Sequence, residues 1–143
     1  MRLKGEPLPL EVQQLLAPFF PGLDLSRVRI HEGIPRYVAI ATAAEAIGYA
    51  NGWHIYFAPG CYRTDSPECL ALIAHEIAHC RQYHELGKWR FRAKYLAAYF
   101  QNRRDGMDAK TAYAQIPYEI EARQIERKVL AMLLRFQTSF SIE

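Results

Sequence analysis

The segment from His75 to His79 carries the residues in this chain that are best suited to chemistry. It reads His-Glu-Ile-Ala-His, and on a helix with about 100° between successive residues the two histidines lie only about 40° apart. Two imidazoles one turn apart can bind the same ion, while the glutamate between them lies beside it. The pattern therefore predicts two zinc ligands, His75 and His79, and a general base, Glu76.

The residues around this motif predict the helix that it needs. Thr64, Asp65 and Ser66 are candidate N-caps, and Asp65 has capping-box spacing to Glu68. Pro67 suits the first helical position, and Gly87 is typical of a helix end. The side of the helix opposite the histidines is apolar and predicts a core face, made of Leu70, Ile73, Ile77 and Cys80. We therefore expect one helix over residues 67–86, with a core face and a metal face.

A catalytic zinc needs a third protein ligand and keeps its fourth position for water. The strongest candidate is Glu119, because a carboxylate that leads an apolar stripe is costly to bury unless it is paired or bound to metal. That stripe of the predicted last helix continues through Ala122, Glu126, Leu130 and Leu133. Glu121 is the second candidate for the third ligand. Candidates elsewhere in the chain are His31, His54, Cys61 and His84.

The elements that must position these residues are short strands followed by long helices. Asn51-Gly52 lies between two aromatic and aliphatic runs, which predicts a β-hairpin of residues 46–49 and 53–57. Residues 28–30 are a further strand candidate. Helices are predicted over residues 10–17, 35–45, 88–104, a short stretch after Asp108, and 117–136. This order predicts an α+β fold.

Length and composition fit one domain. The chain has 143 residues, of which 50% are hydrophobic, and a net charge of +3, which suits one substantial core. We interpret residues 1–143 as a single domain with an extended lead-in at 1–9 and a tail at 137–143. Three cysteines exclude a complete disulfide framework. Neither a secretory signal nor a membrane-spanning run is present, so we expect a cytoplasmic protein or one exported without a standard signal peptide.

The basic residues are densest between Lys88 and Arg104, where aromatic residues alternate with them. Such a pattern can mark a nucleic-acid surface. An amphipathic helix with a solvated basic face is the more common cause. We therefore expect no nucleic-acid partner.

A family resemblance rests on these motifs. His75-Glu76-x-x-His79, followed by Glu119-x-x-Ala122-Arg123, resembles the gluzincin pattern, and the chain length matches the minimal gluzincins (minigluzincins). Segments at residues 8–10, 24–31 and 55–62, and the approach to the motif at 72–76, are similar to one bacterial family. This is the core-domain family of extracellular contractile injection systems, and the resemblance runs from residue 8 to about residue 130.

The resemblance implies a small zincin-like fold in which an edge strand lies beside the active-site helix, a role that residues 53–57 could fill. It also implies that His75, His79 and Glu119 bind zinc and that Glu76 is the base. Thermolysin-like gluzincins often carry an aspartate four residues after the ligand glutamate. Here that position is Arg123, which offers no acceptor. We therefore expect Glu126 or a backbone carbonyl to orient a ligand histidine.

Taken together, these features predict a zinc-dependent metallopeptidase with a peptide or protein substrate. Candidates for supporting the ligands or for donating to the oxyanion are Glu126, Arg123, Tyr118, Tyr113, His84, Tyr62 and Tyr83.

Three alternatives stay open. The first is a zinc-binding interaction module, associated with an injection system or a toxin, that lacks peptidase activity. The second is a DNA-associated zincin, which would need a histidine as third ligand where this chain has none. The third is a latent enzyme in which Cys61 or the tail after Phe136 occupies the fourth zinc position, although a small core residue is the commoner role for a buried cysteine.

Overall fold

The computed structural model describes residues 5–35 and 47–142, and within these ranges the protein combines a small sheet with several long helices. The predicted α+β fold is confirmed. The strands are β1 (Glu6–Pro7), β2 (Arg29–Glu32), β3 (Gly48–Asn51) and β4 (His54–Phe57). The α-helices are α1 (Leu10–Leu16), α2 (Pro67–Leu86), α3 (Lys88–Arg104), α4 (Ala109–Ala114) and α5 (Pro117–Ile142). Short 3-10 turns occupy Ala17–Phe19 and Leu25–Arg27. The helix predicted at residues 35–45 falls almost wholly outside the described residues.

The four strands of the described sheet are arranged in the order β1-β2-β4-β3. The predicted hairpin joins β3 to β4, which pair antiparallel as far as Asn51 opposite His54. The two turn residues are therefore Gly52 and Trp53, one position later than the predicted turn at Asn51 and Gly52. β4 also pairs with β2, in parallel register. The expectation that residues 53–57 form an edge strand is therefore wrong, because β4 lies between two neighbours. β3 is the strand at that end of the described sheet.

Helix α2 begins and ends where the sequence indicates, and of the three candidate N-caps it is Ser66 that caps the helix. The Ser66 hydroxyl oxygen accepts a hydrogen bond from the Cys69 amide at 3.1 Å, and Pro67 is the first helical residue. Gly87 has a φ of 84°, a left-handed conformation that glycine adopts without steric cost. Its amide donates to the Tyr83 carbonyl at 2.8 Å, while its own carbonyl accepts from the Phe91 amide at 3.0 Å. One residue therefore ends α2 and begins α3.

The hydrophobic core is formed around α2, which packs against the sheet on one side and against α5 on the other. The predicted core face of α2 is buried, with Ile73, Ile77 and Cys80 each at most 1% exposed. The opposite face is buried as well, since Glu76 is 5% exposed and His79 is 7% exposed. The ionisable residues of the motif therefore lie in the interior, where each needs a partner.

Helix α5 differs from its predicted form in length and in rotation. It ends at Ile142, whereas the sequence pattern predicted an end at residue 136 and a tail beyond it. Its most deeply buried positions after Glu119 are Ala122 and Val129, both 0% exposed, together with Ile125. Glu126 therefore lies at the edge of the face that packs in the core. That face runs through Ile125 and Val129, each one position before the residue that the predicted stripe contains.

Two of the described helices, α2 with 20 residues and α5 with 26, have the length of a membrane span. None of the helices in the ranges 5–35 and 47–142 combines sufficient length with sufficient hydrophobicity to cross a membrane.

Replacing Ile77 by alanine tests the packing of α2. Ile77 is 0% exposed, and loss of a buried isoleucine side chain typically costs about 2–5 kcal/mol. We expect the free energy of unfolding, measured by urea denaturation, to fall by about that amount. Leu10→Ala is the control, because Leu10 is 66% exposed and should change stability by no more than about 0.5 kcal/mol. Equal effects of the two substitutions would contradict the packing described here.

Candidate metal centre

Helices α2 and α5 bring the three predicted ligands together. His75 and His79 lie one turn apart on α2, and Glu119 lies in the first turn of α5. Each oxygen of the Glu119 carboxylate faces one imidazole: His75 Nε2 is 3.2 Å from Oε1, and His79 Nε2 is 3.2 Å from Oε2. The two Nε2 atoms and the carboxylate therefore surround one point.

The spacing of these atoms fits a metal ion. Ligand atoms about 2.1 Å from a tetrahedral ion are separated by about 3.4 Å, which is close to the 3.2 Å between each Nε2 and its carboxylate oxygen. One ligand atom from each of the three residues can be chosen so that all lie within 4.8 Å of one another. In the described part of the chain this is the one group of three or more such residues. His75, His79 and Glu119 can therefore hold a metal ion.

The ionisable side chains of this group shift one another's pKa values. Burial alone would raise the pKa of Glu119, but hydrogen bonds from His75 and His79 hold it well below its ordinary value. Burial likewise disfavours a charged His75, yet its hydrogen bonds to Glu119 and Glu126 raise its pKa to about 10. The pKa of His79 is also raised, by Glu119 against the effect of burial. A metal ion bound here would take the place of protons on the two imidazoles, because a histidine must be neutral to act as a ligand.

The other nitrogen of each imidazole is held by a partner from the chain. His75 Nδ1 donates to Glu126 Oε1 at 2.8 Å, and His79 Nδ1 donates to Gln82 Oε1 at 2.8 Å. Gln82 is 4% exposed, and its amide nitrogen donates to the Tyr118 carbonyl and to Glu121, both at 3.0 Å. These two acceptors fix the orientation of the amide, so that its oxygen faces His79 and fixes the tautomer of that ring.

Sequence reasoning anticipated Glu126 as a residue that orients a ligand histidine, but it missed Gln82. A signal was present, because Gln82 follows His79 by three residues and so lies on the same side of α2. Its burial depends on how α5 packs, which the pattern of α2 alone does not reveal.

Tyr95 on α3 is a second residue that the sequence did not single out. Its hydroxyl donates to Glu119 Oε2 at 2.6 Å. The pKa of Tyr95 is raised, first by burial and then by the neighbouring Tyr113 and Glu119. Helix α3 thus covers the centre from one side and holds the carboxylate of Glu119 in place.

Glu76 lies beside the centre, against the backbone of β3. Its pKa is raised by burial, although the two histidines act in the opposite direction. A Cβ added at Gly48 would come within 3.1 Å of Glu76 Oε2, which is tighter than ordinary van der Waals contact. Glycine at position 48 therefore leaves the space that the carboxylate of Glu76 occupies.

Tyr113 stands at the outer side of the same group. Its ring lies 6.5 Å from that of Tyr95, and 48% of the residue is exposed. Its pKa is raised by partial burial and by the carboxylates of Glu119 and Glu76. Tyr113 thus combines access to solvent with proximity to both carboxylates.

The remaining predicted residues make contacts elsewhere. Arg123 donates to the carbonyl of Ala114, which ties α5 to the end of α4. The ring of Tyr118 packs on Phe91 at 5.2 Å between centroids, and only its carbonyl reaches Gln82.

The other candidate ligands lie outside the group of three. His84 packs against Trp53 at 5.3 Å between ring centroids. Cys61 packs at the edge of the core. His31 and His54 share a hydrogen bond of 2.8 Å with each other. Among the described residues, none of these four belongs to the group that can hold a metal.

Comparison with known proteins assigns the chain to a family. The eCIS core domain matches residues 7–87, which is more than half of the 143 residues. The chain therefore belongs to the eCIS core domain family, as its resemblance to the injection-system core domains indicated. The match contains β2, β3, β4 and α2 with His75 and His79, and it ends before Glu119. Searches of curated proteins and of solved structures gave no match.

Replacing Glu119 by alanine tests the third ligand. We expect the affinity for Zn²⁺, measured with a competing chromophoric chelator, to fall by more than the roughly 10–100-fold that loss of a residue supporting a ligand costs. Glu68→Ala is the control, because Glu68 is an exposed carboxylate in the first turn of α2. This control should weaken binding by less than about tenfold. Unchanged affinity in Glu119→Ala would exclude Glu119 as a ligand.

The protonation of His75 in the metal-free protein provides a second test. With a pKa of about 10, this imidazole stays charged at pH of about 8, where an ordinary histidine with a pKa of about 6.5 is neutral. Its contribution to stability is complete below the unfolded pKa of about 6.5 and is lost as the pH rises through the folded value. An NMR pH titration, with His75→Gln to identify the resonance, measures the pKa. Glu126→Gln should lower it, and titration of His75 near its ordinary value would contradict the geometry.

Proposed function

We propose that this eCIS core domain is a zinc-dependent metallopeptidase. The observation that carries the proposal is the convergence of His75 Nε2, His79 Nε2 and the Glu119 carboxylate on one point, with the carboxyl of Glu76 buried beside it. Two imidazoles and one carboxylate are the ligand set of many catalytic zinc sites, in which the fourth position is left to water.

Different residues of the chain have separate roles in the proposed hydrolysis of a peptide bond. Zinc, when bound, polarises the scissile carbonyl and lowers the pKa of water. Glu76 accepts a proton from the attacking water and passes it to the leaving amine. Burial supports this role, because a raised pKa makes the carboxylate of Glu76 a stronger base. Tyr113 donates to the developing oxyanion, since it is near both carboxylates and is open to solvent.

Strand β3 is the element on which we expect the substrate to lie. It ends the described sheet, it packs against α2, and its residue Gly48 lies against Glu76. A peptide that pairs with such a strand is held by backbone hydrogen bonds, which select for an extended chain more than for particular side chains. The substrate is therefore an extended peptide or an unfolded segment of a protein, bound with loose sequence specificity.

A second candidate function is a metal-bearing module of an injection system that binds a partner without cleaving it. Membership in the eCIS core domain family favours this alternative. In that case the metal would stabilise the packing of α2 against α5, and Glu76 would be dispensable.

The substitution Glu76→Gln separates the two functions. Removing a general base typically lowers the rate by about 10²–10⁴-fold, so cleavage of casein or of a peptide library should fall by that factor while the zinc content stays at one equivalent. Glu85→Gln is the control, because Glu85 lies on the same helix with a side chain that is 64% exposed, and it should cleave like the wild type. One equivalent of zinc without cleavage that depends on Glu76 would reject the peptidase and leave the binding module.

A further inference from the structure

The outward face of α3 carries an apolar stripe that the metal centre does not use. Trp89 is 75% exposed, Leu96 is 54% exposed and Phe100 is 55% exposed. Ala93 lies between them and is also exposed. We call these four residues the α3 stripe. Their spacing of four, three and four residues is that of the seam in a left-handed pair of helices.

The opposite face of α3 is already engaged with the rest of the protein. Phe91 is 4% exposed, and its ring lies 4.5 Å from that of Tyr83. Tyr95 donates to Glu119 at 2.6 Å, and Asn102 donates to the Ala112 carbonyl at 2.9 Å. These contacts fix the rotation of α3 about its axis, and the α3 stripe therefore faces outward.

The charge of this helix is one-sided. Six of the 17 residues of α3 are lysine or arginine, and none is acidic, whereas the whole chain has a net charge of +3. Two of these cations flank the exposed ring of Trp89, Lys88 at 5.4 Å and Arg92 at 5.7 Å from its centroid. Arg90 and Arg104 are exposed and lie directly beside the stripe on the helix.

We propose that the α3 stripe docks an acidic amphipathic helix of a partner protein. The seam spacing suits a helix, the small Ala93 allows its backbone to approach, and the flanking arginines require acidic residues opposite them. A second copy of this chain would place two cationic helices against each other, which like charges disfavour. The stripe spans only about 60° of the helix, whereas helices that bury a face in a lipid surface or in a core present an apolar face of about 100° or more.

A designed peptide tests the surface without the natural partner. The probe is a fluorescein-labelled helix of about three heptads, with leucine at its seam positions and glutamate at the flanking ones. We expect it to bind the full-length protein in an anisotropy titration, and more weakly when salt is raised from about 0.1 M to about 1 M. The same peptide with lysine in place of glutamate should bind at least about tenfold more weakly.

A pair of matched variants locates the binding site. Leu96→Glu should weaken binding of the acidic peptide by at least about tenfold, because it removes an apolar contact and adds a like charge. Leu10→Glu alters a leucine that is 66% exposed on another helix and should bind like the wild type. Both substitutions are at exposed positions, and thermal unfolding checks that both proteins fold.

Several results would overturn the proposal. These are no binding of the acidic peptide at about 100 μM, equal binding of the lysine peptide, or unchanged binding in Leu96→Glu. Tighter binding of the wild type to phosphatidylserine vesicles or to duplex DNA, lost in Leu96→Glu, would assign the surface to a membrane or to nucleic acid instead. Self-association in analytical ultracentrifugation that Leu96→Glu abolishes would assign it to a second copy of the chain.

Discussion

The carboxylate of Glu119, shared between His75 and His79, is the interaction on which the arrangement of the helices depends. Three ionisable groups in an interior are tolerated only if they are paired and hydrogen-bonded, and each oxygen of Glu119 meets one imidazole. This requirement holds the first turn of α5 against the middle of α2. The position at the start of α5 also suits a negative charge, because the helix dipole is positive there.

The surrounding contacts complete this pairing. Gln82 and Glu126 each accept from an imidazole nitrogen that would otherwise lack a partner, and Tyr95 adds a second hydrogen bond to Glu119 Oε2. Within the described ranges, no buried side-chain nitrogen or oxygen lacks a hydrogen bond. Such a complete network favours a single geometry, since any displacement leaves a buried polar atom unpaired. The hydrogen bonds of the chain itself therefore hold these side chains in one arrangement.

Local spacing made part of this centre predictable. His75 and His79 are neighbours on any helix, and Glu119 stood out because a carboxylate at the head of an apolar stripe needs a partner. Tyr95 and Gln82 were not predictable in the same way, because their roles depend on how α3 and α5 approach α2. The prediction that residues 53–57 form an edge strand was wrong for a related reason. β4 pairs in parallel with β2, which is distant in the sequence, and no local pattern specifies such a pairing.

The junction at Gly87 has a consequence for how this protein can vary. Because one residue in a left-handed conformation joins α2 to α3, the connection has no spare length, and an added residue there would shift and turn α3 relative to α2. Tyr95 would then leave Glu119, and Trp89 would turn away from its present outward direction. The one-residue connection at Gly87 thus helps to fix which side of α3 faces the protein and which side faces outward. We expect natural insertions and deletions to be accepted in the surface loops and excluded at this position.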